Sequence, residues 1–164
     1  MNLEQELKNT LDEENGLVFP RFDALIAREL GIALEKAALG MGAAITIDIR
    51  RGDDIAYFFA MPGTAPENAD WARRKRNVVE RERRSSYAVG LDCQIKGASL
   101  EEQAGLPLRD FASVGGSVAI RVANAGHIGT ITVSGLPQRD DHLLVVGVIK
   151  AWLSQHAVKE TVSR

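Results

Sequence analysis

Apolar and polar positions alternate with changing period along the chain, and the changes divide it into elements. Residues 2–13 place Leu3, Leu7 and Leu11 at helical spacing among acidic residues, and Asn15-Gly16 offers a stop. From Pro20 to Gly42 a stripe recurs every three or four residues through Phe22, Leu25, Ile26, Leu30, Ala33, Leu34, Ala37, Ala38 and Met41. Asp23, Arg28, Glu35 and Lys36 fall mostly off it, so this segment is a helix that buries one side. The period then drops to two. Ala43–Arg51 alternates Ile45, Ile47 and Ile49 with Thr46, Asp48 and Arg50, Gly52-Asp53-Asp54 can turn, and Ile55–Ala60 returns, which predicts a hairpin over 43–60. Met61–Pro66 breaks regular structure, and Glu67–Arg84 reads as a thinly apolar helix with Trp71, Val78 and Val79 on one edge.

A second hairpin is predicted over 116–134, from Gly116–Ala123 and His127–Ser134 joined by Asn124-Ala125-Gly126. Gly135-Leu136-Pro137 ends it. A helix over 138–156 then buries Leu143, Leu144, Val146, Val148, Ile149, Trp152 and Leu153, with Asp140 and Asp141 in the first turn where the helix dipole favours them. Between the hairpins, residues 85–114 read as a short strand near Ala88–Leu91 and a short helix around Leu100–Gly105. Two hairpins with helices before, between and after them point to an α/β chain of the α+β kind, an antiparallel sheet of about five strands flanked by helices. Neither GxGxxG nor GxxxxGK[ST] occurs, which disfavours a doubly wound nucleotide fold.

With 164 residues the chain fits one domain spanning 1–164, and 45% hydrophobic with 26% charged residues is ordinary globular usage. No apolar run reaches the ~20 residues of a membrane span, and the acidic amphipathic start is unlike a secretory signal, so a cytoplasmic protein away from membranes is expected. A net charge of −2 argues against a nucleic-acid partner. Cys93, the one cysteine, allows no internal disulfide and reads as a buried structural thiol in a strand-like setting.

Three groups of residues could carry chemistry. Residues 73–84 hold seven basic residues against two acidic ones, a local +5 in an acidic chain. Arg74, Lys75 and Arg76, followed by Ser85 and Ser86, offer donors suited to a phosphate, a carboxylate or a haem propionate; a solvated helix or a subunit-pairing one is the plain alternative. Thr132–His142 runs from a strand end through a glycine turn into a helix, which leaves backbone N–H groups bare beside Ser134, Gly135, Asp141 and His142. Ordinary helix-start decoration is the alternative there. Among His127, His142 and His156, none is spaced as a zinc helix. His142 and His127 are the weak candidates for an iron or other metal ligand, and His156 suits a helix C-terminus. No GxSxG elbow is present, and Gly115-Gly116 allows close approach by a ligand or by the basic helix.

The segment GHIGTITVSGLPQRDDHLLVVGVI, paired with DWARRKRNVV and SSYAVG upstream, resembles the haem-degrading, HbpS/GlcG-like domain superfamily, in a branch with a yeast cytosolic member. The resemblance implies a profilin-like sheet, assembly into homodimers or larger rings, and relatives that bind haem or iron. It leaves the activity open. The leading expectation is an oligomeric protein that binds a small anionic ligand, haem included, between Arg74, Lys75, Arg76, Ser85 and Ser86 on one side and Ser134, Gly135, Asp141 and His142 on the other. A haem- or iron-dependent degrading enzyme using His142 or His127 is the second reading. A scaffold whose basic helix docks acidic partners is the third.

Overall fold

The computed structural model describes residues 2–162. Its elements run α1 (Leu3–Asn15), β1 (Val18–Phe19), α2 (Ala24–Gly40), β2 (Thr46–Arg51), β3 (Asp54–Ala60), α3 (Pro66–Glu82), α4 (Ser86–Lys96), α5 (Leu100–Ala104), β4 (Ser117–Val122), β5 (Gly126–Ser134) and α6 (Gln138–Val162). The five strands form one sheet in the order β1-β4-β5-β2-β3. Both hairpins are present, and β2 pairs antiparallel with β5 from Thr46 opposite Ser134 to Arg51 opposite Gly129.

Two expectations change. The sheet is mixed, because β1 adds to β4 in parallel through Val18 and Phe19. Two residues are too few to show a period, yet Phe19 is fully buried, edge-on to Phe22 at 5.1 Å and near Trp152 at 5.4 Å. Residues 88–91 are helical, inside α4. Ser85 caps that helix by accepting the Ala88 N–H at 3.0 Å, and every residue from Ser86 to Leu91 is buried, so the apolar run lacks the one-sided pattern that betrays a helix. Cys93 therefore lies on a helix, half-buried beside the small cluster of Val78, Val89 and Leu100, with the Gln103 amide nitrogen 3.6 Å from its sulfur.

The two faces of the sheet differ. Ile45, Ile47, Ile49, Val118, Ile120, Ile131 and Val133 project to an apolar core shared with α2 and α6, through Ile26, Leu30, Leu34, Val145 and Ile149. The alternate positions Thr46, Asp48, Ser117, Thr130 and Thr132 are buried too, under α3. A charged helix over a hydroxyl-lined sheet face is what positions the candidate site. Strand β5 comes so near β2 that a Cβ on Gly129 would lie 1.9 Å from the Arg50 carbonyl oxygen. Gly129→Ala is expected to lower the urea-unfolding free energy by about 1–3 kcal/mol, the range for forcing extra volume into a packed interior.

Candidate functional site

Helix α3 carries Lys75 onto the polar face of the sheet, and the first turn of α6, just past the turn after β5, carries Asp141 to meet it. The Lys75 Nζ donates to Asp141 Oδ2 at 2.8 Å and to the Val133 carbonyl at 3.2 Å. Both side chains are nearly sealed, at 5% and 1% exposed. The other oxygen of Asp141 accepts the Leu136 N–H at 3.0 Å, so a bare turn amide that the sequence leaves for a ligand is held by the chain's own carboxylate. Burial raises the Asp141 pKa, and the Lys75 charge and the turn amides act against that. Gly116 makes the approach feasible: a Cβ there would sit 2.8 Å from the ammonium and 2.6 Å from the Val133 oxygen.

A cleft of about 280 Å³ opens over this pair, lined by Asn68, Trp71, Val114, Ser134, Gly135 and Gln138 together with Lys75 and Asp141. Ser134 is buried in the wall of this cleft. At the rim the Arg74 guanidinium lies 3.8 Å above the Trp71 ring and pairs with Asp70 at 3.1 Å. Of the nine residues expected to gather, the structure brings Lys75, Ser134, Gly135 and Asp141 together and sets Arg74 beside them.

The remaining four go elsewhere. Arg76 lies one residue past Lys75, turned onto β2, where it meets Asp48 at 2.5 Å; Asp48 also accepts from Arg50 at 2.9 Å. Burial pulls the Arg76 guanidinium below its usual value, and Asp48 opposes it. Ser85 spends its hydroxyl on the α4 cap and its N–H on the buried Glu14 carboxylate, at 3.1 and 3.2 Å. Ser86 Oγ accepts the Ser117 N–H at 3.1 Å, tying α4 to β4. His142 follows Asp141 but points about 100° away round the helix, into a different cleft of about 130 Å³ with Glu6, Thr10, Tyr87 and Arg139. There it stacks on Tyr87 at 4.7 Å, 2% exposed, and burial drops its pKa to about 4.

His127 stands near the opposite end of α3, 3.2 Å from Glu80. No group of three or more His, Cys, Asp or Glu residues arranged to hold a metal ion occurs among the described residues. Six of the seven basic residues in 73–84 lie within 4.0 Å of a carboxylate, so the helix is not an open cationic face. Asn68, Trp71, Val114, Leu136 and Gln138 line the cleft outside the set expected from sequence, and Asp48 is the unforeseen partner that draws Arg76 away. For Asp48 a signal exists: it is an acid at a strand position whose neighbours alternate Thr and Arg, opposite a strand with Thr130 and Thr132.

The model of the family described as "Haem degrading protein HbpS-like" matches residues 22–150. The chain belongs to the HbpS-like family. Both motifs that carry the resemblance fall inside that span. A UPF0303 protein of Azotobacter vinelandii is 51% identical over 155 residues, covering 94% of this chain and 93% of the relative. The crystal structure of the Ybr137w protein superposes with a TM-score of 0.85 at 25% identity, over 92% of this chain and 89% of that one. The PduOC:heme complex superposes at 0.65 with 20% identity, over 82% and 95%, which shows a common HbpS-like fold.

Proposed function

We propose that the protein is an oligomeric small-molecule binding protein whose ligand, a small carboxylate or phosphate, lodges between Trp71 and the Ser134–Leu136 turn. The observation that carries this is the buried Lys75–Asp141 pair at the floor of an open cleft. Burying two charges seldom adds stability over an apolar pair, so the pair points to a use beyond holding the fold. An ammonium has three N–H donors. Asp141 and the Val133 carbonyl take two, which leaves the third and the Ser134 hydroxyl for a ligand oxygen. At the rim Arg74, stacked on Trp71 and paired with Asp70, offers a guanidinium that an anion would have to share with that carboxylate.

Haem enters through the family description and the PduOC:heme relative. A histidine-ligated tetrapyrrole does not fit the turn cleft. Its volume of about 280 Å³ falls just below the ~300–1,000 Å³ range of ligand pockets, and neither His127 nor His142 lines it. The turn cleft therefore offers haem iron no axial ligand from a histidine.

A ligand present at a hundred times its dissociation constant stabilises by about 2.7 kcal/mol, which raises the melting temperature by roughly 5–10 °C in a chain of this size. A panel of inorganic phosphate, small carboxylates and tetrapyrroles is expected to give that rise with one of the first two classes, and Ser134→Val is expected to remove it. A panel without any shift would end the reading.

Self-assembly rests on a different observation. Strand β3 is an edge strand with Ile55 and Phe58 exposed, and α2 exposes Leu25, Ile32 and Leu39 seven residues apart, with Met41 beyond. Such a surface suits a second copy of the chain. Phe58→Asp is expected to move the protein to a smaller species on a sizing column with its helix content unchanged; an unchanged elution volume would remove this face from the assembly.

A further inference from the structure

The most voluminous of the described clefts, about 470 Å³, lies away from the turn, between the middle of α2 and the later part of α6. Small residues open it: Ala33 on α2 and Ala151 on α6, with Val148 beside them. Its polar end holds the exposed Gln155 and three side chains that fix one another. The Trp152 indole donates to Glu29 Oε2 at 2.8 Å, and the His156 ring stacks on Trp152 at 3.7 Å with the planes 15° apart. The His156 Nδ1 lies 2.7 Å from the Trp152 carbonyl. A carbonyl only accepts, so Nδ1 carries the hydrogen, and in the neutral ring Nε2 keeps its lone pair. In that neutral form the Nε2 and the Glu29 Oε2, 3.7 Å apart, are both acceptors and make no hydrogen bond to each other. Two preset acceptors at the end of an apolar slot define a ligand. It has a flat ring to lie along the alanines and two neighbouring N–H donors to bridge the acceptors.

We infer that the α2–α6 groove is a second binding site, for a planar nitrogen heterocycle or arylamidine presenting paired N–H donors to Glu29 and His156. Its ligand is opposite in character to the one proposed for the turn cleft, since Glu29 repels carboxylates and phosphates. The chain has two tryptophans, so Trp71→Phe leaves Trp152 as the sole reporter inside the groove. In that background 2-aminobenzimidazole is the probe, benzoate the anionic control, calorimetry measures affinity and Trp152 emission measures place.

Saturable binding that perturbs Trp152 emission is expected with the probe and not with benzoate. Glu29→Gln, whose amide oxygen can still accept the indole N–H, should weaken it at least tenfold. Ala151→Leu, which fills the slot from an exposed helix position, should abolish it. Absence of binding at millimolar probe would overturn the inference, as would equal binding of benzoate or an affinity indifferent to both substitutions. Circular dichroism on each variant separates loss of the groove from loss of the fold.

Discussion

Lys75→Met will lower the unfolding free energy by about 3–5 kcal/mol, because it strands the Asp141 carboxylate in a sealed site. At roughly 2–4 °C per kcal/mol for a chain of this size, the melting temperature should fall by about 6–20 °C. The double variant Lys75→Met/Asp141→Leu removes the orphaned charge as well, and is expected to recover much of that loss while still lacking the Leu136 N–H bond. A double-mutant cycle by urea unfolding reads the coupling. A cost below about 1 kcal/mol for the single change would mean that the pair is hydrated, and would take with it the argument that it is kept for a ligand.

The second large effect comes from acid. His142 is neutral in the folded state, its pKa dropped from 6.5 to about 4 by burial, whereas in the unfolded chain it protonates near its ordinary value. The unfolded state therefore binds the extra proton between those limits. The stability due to this group is complete above about pH 6.5 and declines as the pH falls toward 4, by about 3 kcal/mol in all. Glu13 is the charged neighbour that resists the drop, and Tyr87 is the ring His142 lies against. His142→Phe keeps the stack without the titration, so it should flatten the pH dependence. Urea midpoints at pH 7.5, 6 and 4.5 for both proteins give the test as a difference, in which the upward-shifted Asp141 and Glu14 largely cancel. Parallel curves would show that His142 is hydrated or charged in the native protein.

Periodicity makes most of the fold legible, and the exceptions have physical reasons. The stripe of α2 marks its buried side, save Leu25 and Met41, which are exposed. The alternation of Ile45, Ile47 and Ile49 with Thr46 and Asp48 separates an apolar from a polar face of a strand that is buried on both, because α3 covers the second face. Both elements stand where the pattern predicts them. Helix α4 is hidden because its first six residues are buried all round, and β1 because two residues have no period. At the site, the sequence points to the meeting of α3 with the turn after β5. What it does not supply is azimuth. Lys75 and Arg76 are adjacent, as are Asp141 and His142, and a step of about 100° per residue sends each member of a pair to a different destination. Ser85 and Ser86 stand out in the sequence as hydroxyls beside arginines, but a serine ahead of a helix is more often its cap, and Ser85 is one.

The span matched by the family model is shorter than the folding unit, and relatives such as the Azotobacter vinelandii protein align well beyond it. The family match starts at Phe22, yet Glu14 holds the amide that opens α4, and Phe19 fills the interior beside Trp152, which itself lies past residue 150. A fragment trimmed to 22–150 would expose an aromatic socket at one edge and leave a helix start without its anchor. Expression of that fragment should yield insoluble or partly folded material, with the flanks needed as much as the span the family model matches.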